Sequence, residues 1–206
     1  MISQMTGVVF LLDTIVASEI TVNKEYHGVR LIVSAKIDTM VQPVSMDIGF
    51  GDVITPAPQI LEYPVLMEEQ PLPIIFAYSL ETVVAEKFEA MISLSVDNSR
   101  MKDFFDVYRL LKFHVLDEER LSKSIENTFI NRSTELEETP ALFQKDFHTD
   151  QRRINKWKAF LKRIKWKEEM DFDEVCSLIQ DRLGGYYASI FKKSIIGGGS
   201  SVFRRN

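Results

Sequence analysis

The chain of 206 residues has the length of one or two globular domains, and its formal net charge of −5 excludes a generally basic nucleic-acid coat but not a local basic patch. A single cysteine, Cys176, excludes a disulfide framework and a cysteine-based zinc site and fits a reducing compartment. There is no apolar run near the ~18 residues of a membrane span, and the first residues lack the basic region of a signal peptide. We therefore expect a soluble cytoplasmic protein with no membrane contact.

The N-terminal half has the composition and periodicity of a β-sheet. Short strands are expected at residues 8–12 and 14–22, and alternating apolar residues predict longer ones at 29–37 and 44–50. The turn at residues 38–40 would join the last two strands into a hairpin. Five prolines between residues 56 and 73 exclude a long helix there, so we expect an extended connector. Short strand pieces are predicted within it at 63–67 and 74–77.

Helical periodicity begins at Ser79, which is a suitable N-cap residue. Further helices are predicted over 98–113, 117–128, 149–164 and 171–183. The predicted fold class is thus α+β, with a small mixed sheet followed by a helical half. The expected domains are a sheet region at 1–77, a helical domain at 78–190 and a disordered tail at 191–206.

Two isolated charged residues stand out against their apolar surroundings. Asp47 lies mid-strand, on the strand face that carries the small residues Ser45 and Gly49, which leaves room for a ligand. The alternative is an edge-strand aspartate in water or in a salt bridge. Lys87 lies at the edge of a helical apolar stripe, where it either extends to solvent or serves a site. Glu86 and Glu89 are its nearest potential partners along the chain.

Charged residues also cluster near the start of the second predicted helix. Lys102, Asp103 and Asp106 are spaced so that their side chains can share one helical face. A structural charge cluster favoured by the helix dipole is the alternative interpretation. The basic run 152–167 includes Trp157 and Trp166 and is either a solvated face or an RNA- or DNA-binding surface. Cys176 lies on an apolar helical face and is expected in the core.

In combination, these segments resemble the AbiEii/AbiGii toxin family of nucleotidyltransferases, the toxin halves of abortive-infection toxin–antitoxin systems. The matching stretches are Val44–Asp52, Tyr78–Ala90 and Asn98–Tyr108, in the order and spacing of the family. Ala-Glu-Lys at 85–87 followed by Lys-Asp-x-x-Asp at 102–106 is the most specific part. The resemblance covers about residues 7 to 185.

The resemblance implies a nucleotidyltransferase-like fold and transfer of a nucleotidyl group from a nucleoside triphosphate, with two divalent cations, Mg²⁺, assisting. Asp47 matches the metal-binding carboxylate of the third strand, and Lys87 matches the helix lysine expected near the triphosphate. Lys102, Asp103 and Asp106 match the family's catalytic motif, in which the aspartates act as base or orient substrate. The implied partners are an RNA or protein acceptor and a cognate antitoxin. All five residues would converge on one cleft.

The sequence also departs from the family pattern. Members carry a Gly-Ser or Gly-Gly motif and a paired D-x-D upstream of the third-strand carboxylate, and no D-x-D occurs between Met1 and Asp47. The chain is therefore expected to be an N-terminally truncated member with little activity, because one carboxylate holds magnesium weakly. The alternative function is a degenerate member that only binds nucleotide, RNA or a partner. A DNA-binding regulator is a third, weaker reading.

Overall fold

The computed structural model describes residues 7–23, 26–50, 54–65 and 71–196. The chain divides into two compact units, residues 1–52 and residues 53–206. The first unit is a β-sheet, and the second combines a two-stranded sheet with six α-helices. The predicted α+β class, with sheet before helices, is confirmed.

The first unit is a three-stranded meander of β1 (Val8–Asn23), β2 (Tyr26–Ile37) and β3 (Met40–Gly49). β1 is one continuous strand where two short ones were expected, with a register shift between Leu11 and Val16. The predicted hairpin is present, and Asp38 in its two-residue turn has a φ of 51°. All described strand pairs are antiparallel, so the predicted mixed sheet is wrong. The two-residue turn between β2 and β3 can join only antiparallel strands.

Alternation in β2 follows the predicted faces. Val33 is buried, whereas Arg30 and Lys36 on the other face are exposed. The register places Val44, Met46 and Ile48 of β3 opposite apolar residues of β2, so they share that apolar face.

The second unit opens with a small sheet of β4 (Gln59–Glu62) and β5 (Ile74–Ala77). The strand predicted at 74–77 is confirmed, but the one predicted at 63–67 is displaced towards the N-terminus. Tyr63 N donates to Pro73 O at 2.8 Å, and regular pairing stops there, since Pro64 has no backbone N–H to donate. Residues 66 and 67 lie outside the described part.

Six helices follow: α1 (Leu80–Ser93), α2 (Met101–Phe113), α3 (Glu118–Asn131), α4 (Lys145–Thr149), α5 (Gln151–Arg163) and α6 (Phe172–Ile196). Ser79 caps α1 as predicted by accepting from Thr82 N, and Asp117 and Asp150 cap α3 and α5 in the same way. α4 was not predicted. α6 continues through residues 191–196, which the sequence placed in the tail, and residues 197–206 lie outside the described part.

The core of the second unit is rich in aromatic side chains. Phe88, Phe104, Phe129 and Trp157 are each at most 1% exposed. Cys176 is fully buried among them, as predicted, and burial raises the pKa of its thiol. None of the described helices is both long and apolar enough to span a membrane.

Candidate nucleotide site

Lys87 of α1 points at the first two turns of α2. Its Nζ lies 2.5 Å from Asp103 Oδ1 and 3.0 Å from Asp106 Oδ2. The side chain is 21% exposed, so the ammonium is partly shielded but within reach of solvent. Asp106 also accepts from Lys102 Nζ at 2.6 Å, across one turn of α2. We call these four residues, Lys87, Lys102, Asp103 and Asp106, the Lys87 cluster.

The packing of α2 explains why the cluster forms. Asp103 and Asp106 are three residues apart and therefore lie on one helical face. The neighbouring Phe104, Phe105 and Val107 are buried and fix the rotation of the helix about its axis. This rotation directs both carboxylates towards α1, which packs against α2. The structure thus brings together four of the five predicted site residues.

Within the Lys87 cluster, the opposite charges stabilise each other in their ionised forms. Burial lowers the pKa of Lys87, but its hydrogen bonds to Asp103 and Asp106 outweigh this effect, so the pKa lies above the ordinary value. Burial likewise raises the pKa of Asp106, and the hydrogen bonds from Lys102 and Lys87 bring it below the ordinary range. Lys87 and Asp106 are therefore both charged at neutral pH.

Glu86 and Glu89 form their ion pairs with Arg132, although Lys87 is their neighbour in the sequence. Arg132, just after α3, donates to both carboxylates, and its Nη1 lies 2.6 Å from Glu89 Oε2. Thr134 Oγ1 donates to the other oxygen of Glu89 at 2.7 Å. These residues tie α3 to α1, a role that local sequence spacing gave no means of detecting.

Asp47 lies in the first unit and is paired there. Arg30 on β2 donates to it from both Nε and Nη2, each at 2.7 Å. This bidentate hydrogen bonding holds the pKa of Asp47 below its ordinary value. The salt bridge is the alternative that the sequence left open for this residue. Convergence of Asp47 with the Lys87 cluster stays a prediction.

The Arg30–Asp47 pair could have been found from the sequence. A two-residue turn at Asp38 and Thr39 pairs Ile37 with Met40, and counting back along both strands places Arg30 opposite Asp47.

The divalent cations implied by the resemblance do not fit the described side chains. Across residues 7–23, 26–50, 54–65 and 71–196 no three His, Cys, Asp or Glu residues are grouped so as to hold a metal ion. The one predicted metal ligand, Asp47, already has its two oxygens bound by Arg30.

The aromatic part of the predicted nucleic-acid surface is overturned. Trp157 is 1% exposed, and its Nε1 donates to Met170 O at 2.7 Å in the core. The ring of Trp166 packs edge-on against Phe105, with a centroid distance of 5.0 Å. Trp157 therefore offers no free face on which a base could stack, and the partly buried Trp166 is held against the helical core.

The order of these elements can be compared with known families. The family model described as nucleotidyl transferase AbiEii toxin, type IV TA system, matches residues 4–177. The chain belongs to this family. Searches of curated proteins and of solved structures gave no match. The matched range contains the Lys87 cluster and Asp47.

Proposed function

We propose that this AbiEii-family protein binds a nucleoside triphosphate beside Lys87 and transfers its nucleotidyl group to an acceptor, RNA or protein. The observation that carries the proposal is the position of Lys87, a partly exposed ammonium held in place by two carboxylates. A fixed ammonium attracts phosphate oxygens and stabilises the negative charge that develops on them during transfer.

The reaction proposed is attack of an acceptor oxygen on the α-phosphorus of the triphosphate. A new phosphorus–oxygen bond forms, the bond to the β-phosphate oxygen breaks, and pyrophosphate leaves. The acceptor proton must pass to a base. Asp106 is poorly suited to that task, since its lowered pKa makes it a weak base. We therefore assign Asp103 and Asp106 to the positioning of Lys87, with Lys102 neutralising Asp106 from the solvent side.

Magnesium is implied by the family resemblance alone, since no three His, Cys, Asp or Glu side chains of the described residues are grouped so as to hold a metal ion. Asp47 is the proposed ligand, but Arg30 would have to release it first. This pairing supports low transfer activity. It also favours the second candidate function, a family member that binds nucleotide, RNA or a partner without catalysis. A cytoplasmic location and a cognate antitoxin complete the proposal.

Labelled nucleoside triphosphates test these assignments directly. We expect wild-type protein to bind nucleotide and Lys87→Met to bind at least tenfold more weakly, because a charge-assisted contact is worth about 1.5–3 kcal/mol. Lys123→Met, which removes an exposed lysine of α3 paired with Glu119, is the matched control and should bind as wild type. Equal nucleotide binding by Lys87→Met and Lys123→Met would refute the site.

Transfer of label to an RNA or protein pool, with magnesium, separates the two candidate functions. Weak transfer that falls further in Asp47→Ala supports the transferase. Nucleotide binding without any transfer supports the binding-only member. Robust transfer that survives in Asp47→Ala would contradict the assignment of Asp47.

A further inference from the structure

A groove runs between one face of α5 and the segment that leads into α2. It consists of two adjoining clefts of about 720 Å³ and about 320 Å³ that share Lys156. Its charged lining residues are six cations and three carboxylates: Arg100, Lys102, Arg152, Arg153, Lys156, Arg163, Asp97, Asp103 and Asp150. We call this feature the α5 groove.

Half of the six cations in the α5 groove have no carboxylate partner among the described residues. Asp103 is bound by Lys87, and Asp150 lies 3.3 Å from Arg153 Nη1. Lys102 is paired with Asp106. Within the described residues, Arg152, Lys156 and Arg163 form no ion pair, whereas the charge of Arg100 acts on the buried carboxylate of Glu89. An anion entering the groove would therefore meet three cations without displacing a carboxylate, with Asp97 as the one unpaired carboxylate of the lining among the described residues.

Two buried donors lie along the same groove without partners. Asn98 is 3% exposed; its Oδ1 accepts from Arg100 N at 2.8 Å, but its Nδ2 has no hydrogen-bond partner within the described chain. Arg153 Nε is likewise unpartnered there. Buried donors without an acceptor are rare in native proteins, and each costs free energy. An oxyanion bound in this groove would supply the missing acceptors after a small side-chain movement.

The length of the groove selects the kind of anion. Arg152, Lys156 and Arg163 follow one stripe of α5, and the eleven residue steps from the first to the last span about 16 Å. A triphosphate is compact and would reach only part of this row. A stacked nucleic-acid strand carries a phosphate about every 3.4 Å and can contact the whole row. Trp157 is buried and Trp166 is partly buried with its ring packed against Phe105, so the contacts would be to the backbone and not to bases.

We propose that the α5 groove binds the sugar–phosphate backbone of a single-stranded RNA segment, independently of its sequence. The site rests on the proposed function only in that the bound strand would be the acceptor of the nucleotidyl group. Asp103 belongs both to the groove lining and to the Lys87 cluster, so the strand would lie next to the proposed triphosphate site.

Fluorescence anisotropy with a labelled oligo(U) strand, without nucleotide, tests the site on the full chain. Loss of two phosphate contacts in Lys156→Ala/Arg163→Ala is expected to weaken binding by about 10- to 30-fold near 0.1 M salt and to reduce the salt slope by about 1.4. Lys158→Ala/Lys162→Ala removes the same charge from exposed positions of α5 outside the groove and should bind nearly as wild type. Equal losses in both variants would overturn the proposal, since general attraction would then explain binding.

Three further measurements separate charge from folding, backbone recognition from base recognition, and RNA from triphosphate. Lys156→Arg/Arg163→Lys keeps both charges and should retain affinity, with circular dichroism confirming the fold. Oligo(A) should bind within about threefold of oligo(U), because backbone contacts tolerate sequence. Displacement of the RNA by ATP at equal phosphate concentration would assign the groove to the triphosphate and overturn the inference.

The proposed function can fail separately. Groove-dependent RNA binding without any label transfer leaves the groove site intact and removes the transferase. If wild type transfers label to RNA but Lys156→Ala/Arg163→Ala still binds oligo(U) as tightly as wild type, the transferase is supported and the groove site is refuted.

Discussion

Lys87 shows why single residues of this site were hard to assign from local pattern. Its nearest carboxylates in sequence, Glu86 and Glu89, are bound by Arg132, and its actual partners lie on the next helix. The spacing of Asp103 and Asp106 did predict that they share a face. Which lysine that face meets depends on the packing of two helices, and in the sequence only the family resemblance links Lys87 to these aspartates.

At the residue scale, we predict that Asp106→Asn lowers stability by about 1–3 kcal/mol at neutral pH, since Lys87 and Lys102 lose a charged acceptor. The pKa of Asp106 is lowered by folding, so its stabilisation is present above the unfolded pKa of about 3.9 and is lost as pH falls through the folded pKa. Thermal unfolding measured between pH 2 and 9 should therefore show the stabilities of wild type and Asp106→Asn becoming equal at the acidic end.

The matched control for Asp106→Asn is Asp181→Asn, an exposed carboxylate of α6 with no ion pair within the described chain. It should change stability by less than about 0.5 kcal/mol at every pH. A difference between wild type and Asp106→Asn that persists unchanged down to pH 2 would show that the side chain acts by packing and not by charge.

At the scale of elements, α1 and α3 are joined by a mostly buried charge network. Glu89 has a side chain only 3% exposed and depends on Arg132 and Thr134 for compensation. Removing one partner of a buried ion pair leaves the other charge unpaired. The free-energy cost of that unpaired charge exceeds the net stabilisation that the intact pair provides. This network therefore fixes which faces of the two helices meet.

We predict that Arg132→Met destabilises the protein by about 3–5 kcal/mol, measured by urea unfolding, because Glu86 and Glu89 lose their shared cation. Arg120→Met on the same helix removes an exposed arginine paired with Asp117 and should cost less than about 1 kcal/mol. Similar losses for the two variants would mean that the network contributes no more than a surface ion pair.

Helices and strands were largely predictable because their periodicity is local. Ser79, Asp117 and Asp150 each marked or adjoined a predicted helix start, and the apolar alternation of β2 identified its buried face. The position of β4 was not predictable in the same way, since a strand of four residues flanked by prolines is too short to show a clear apolar alternation. The sequence revealed the α5 groove only as a basic run. Which lysines of α5 line the groove and which face solvent depends on how α5 packs in the fold, and the sequence does not show this.

At the scale of the whole molecule, the two units differ in how much apolar surface they bury. Val33 is the one buried apolar residue among those whose burial is described in the first unit, whereas each of α1 to α6 contributes at least one buried aromatic residue to the core of the second unit. Segments with few buried apolar contacts open locally at lower free energy. The first unit is therefore the less stable part of the chain.

We predict that native-state hydrogen exchange separates the units. Amides of β1 to β3 should exchange through openings of lower free energy than amides of α1, α2 and α6, which should approach the global unfolding free energy. Mass spectrometry of peptides from exchanged full-length protein measures this. Equal protection of β2 and α2 would show that the two units unfold as one cooperative structure.

Trp157 and Trp166 are the two tryptophans of the sequence, and both complete the helical core. Intrinsic tryptophan emission therefore reports on the second unit and carries no direct signal from the meander. Far-ultraviolet circular dichroism, in contrast, registers strands and helices together. In a denaturation experiment followed by both signals, tryptophan emission reports unfolding of the second unit alone. Native emission can therefore persist after the meander of the first unit has unfolded.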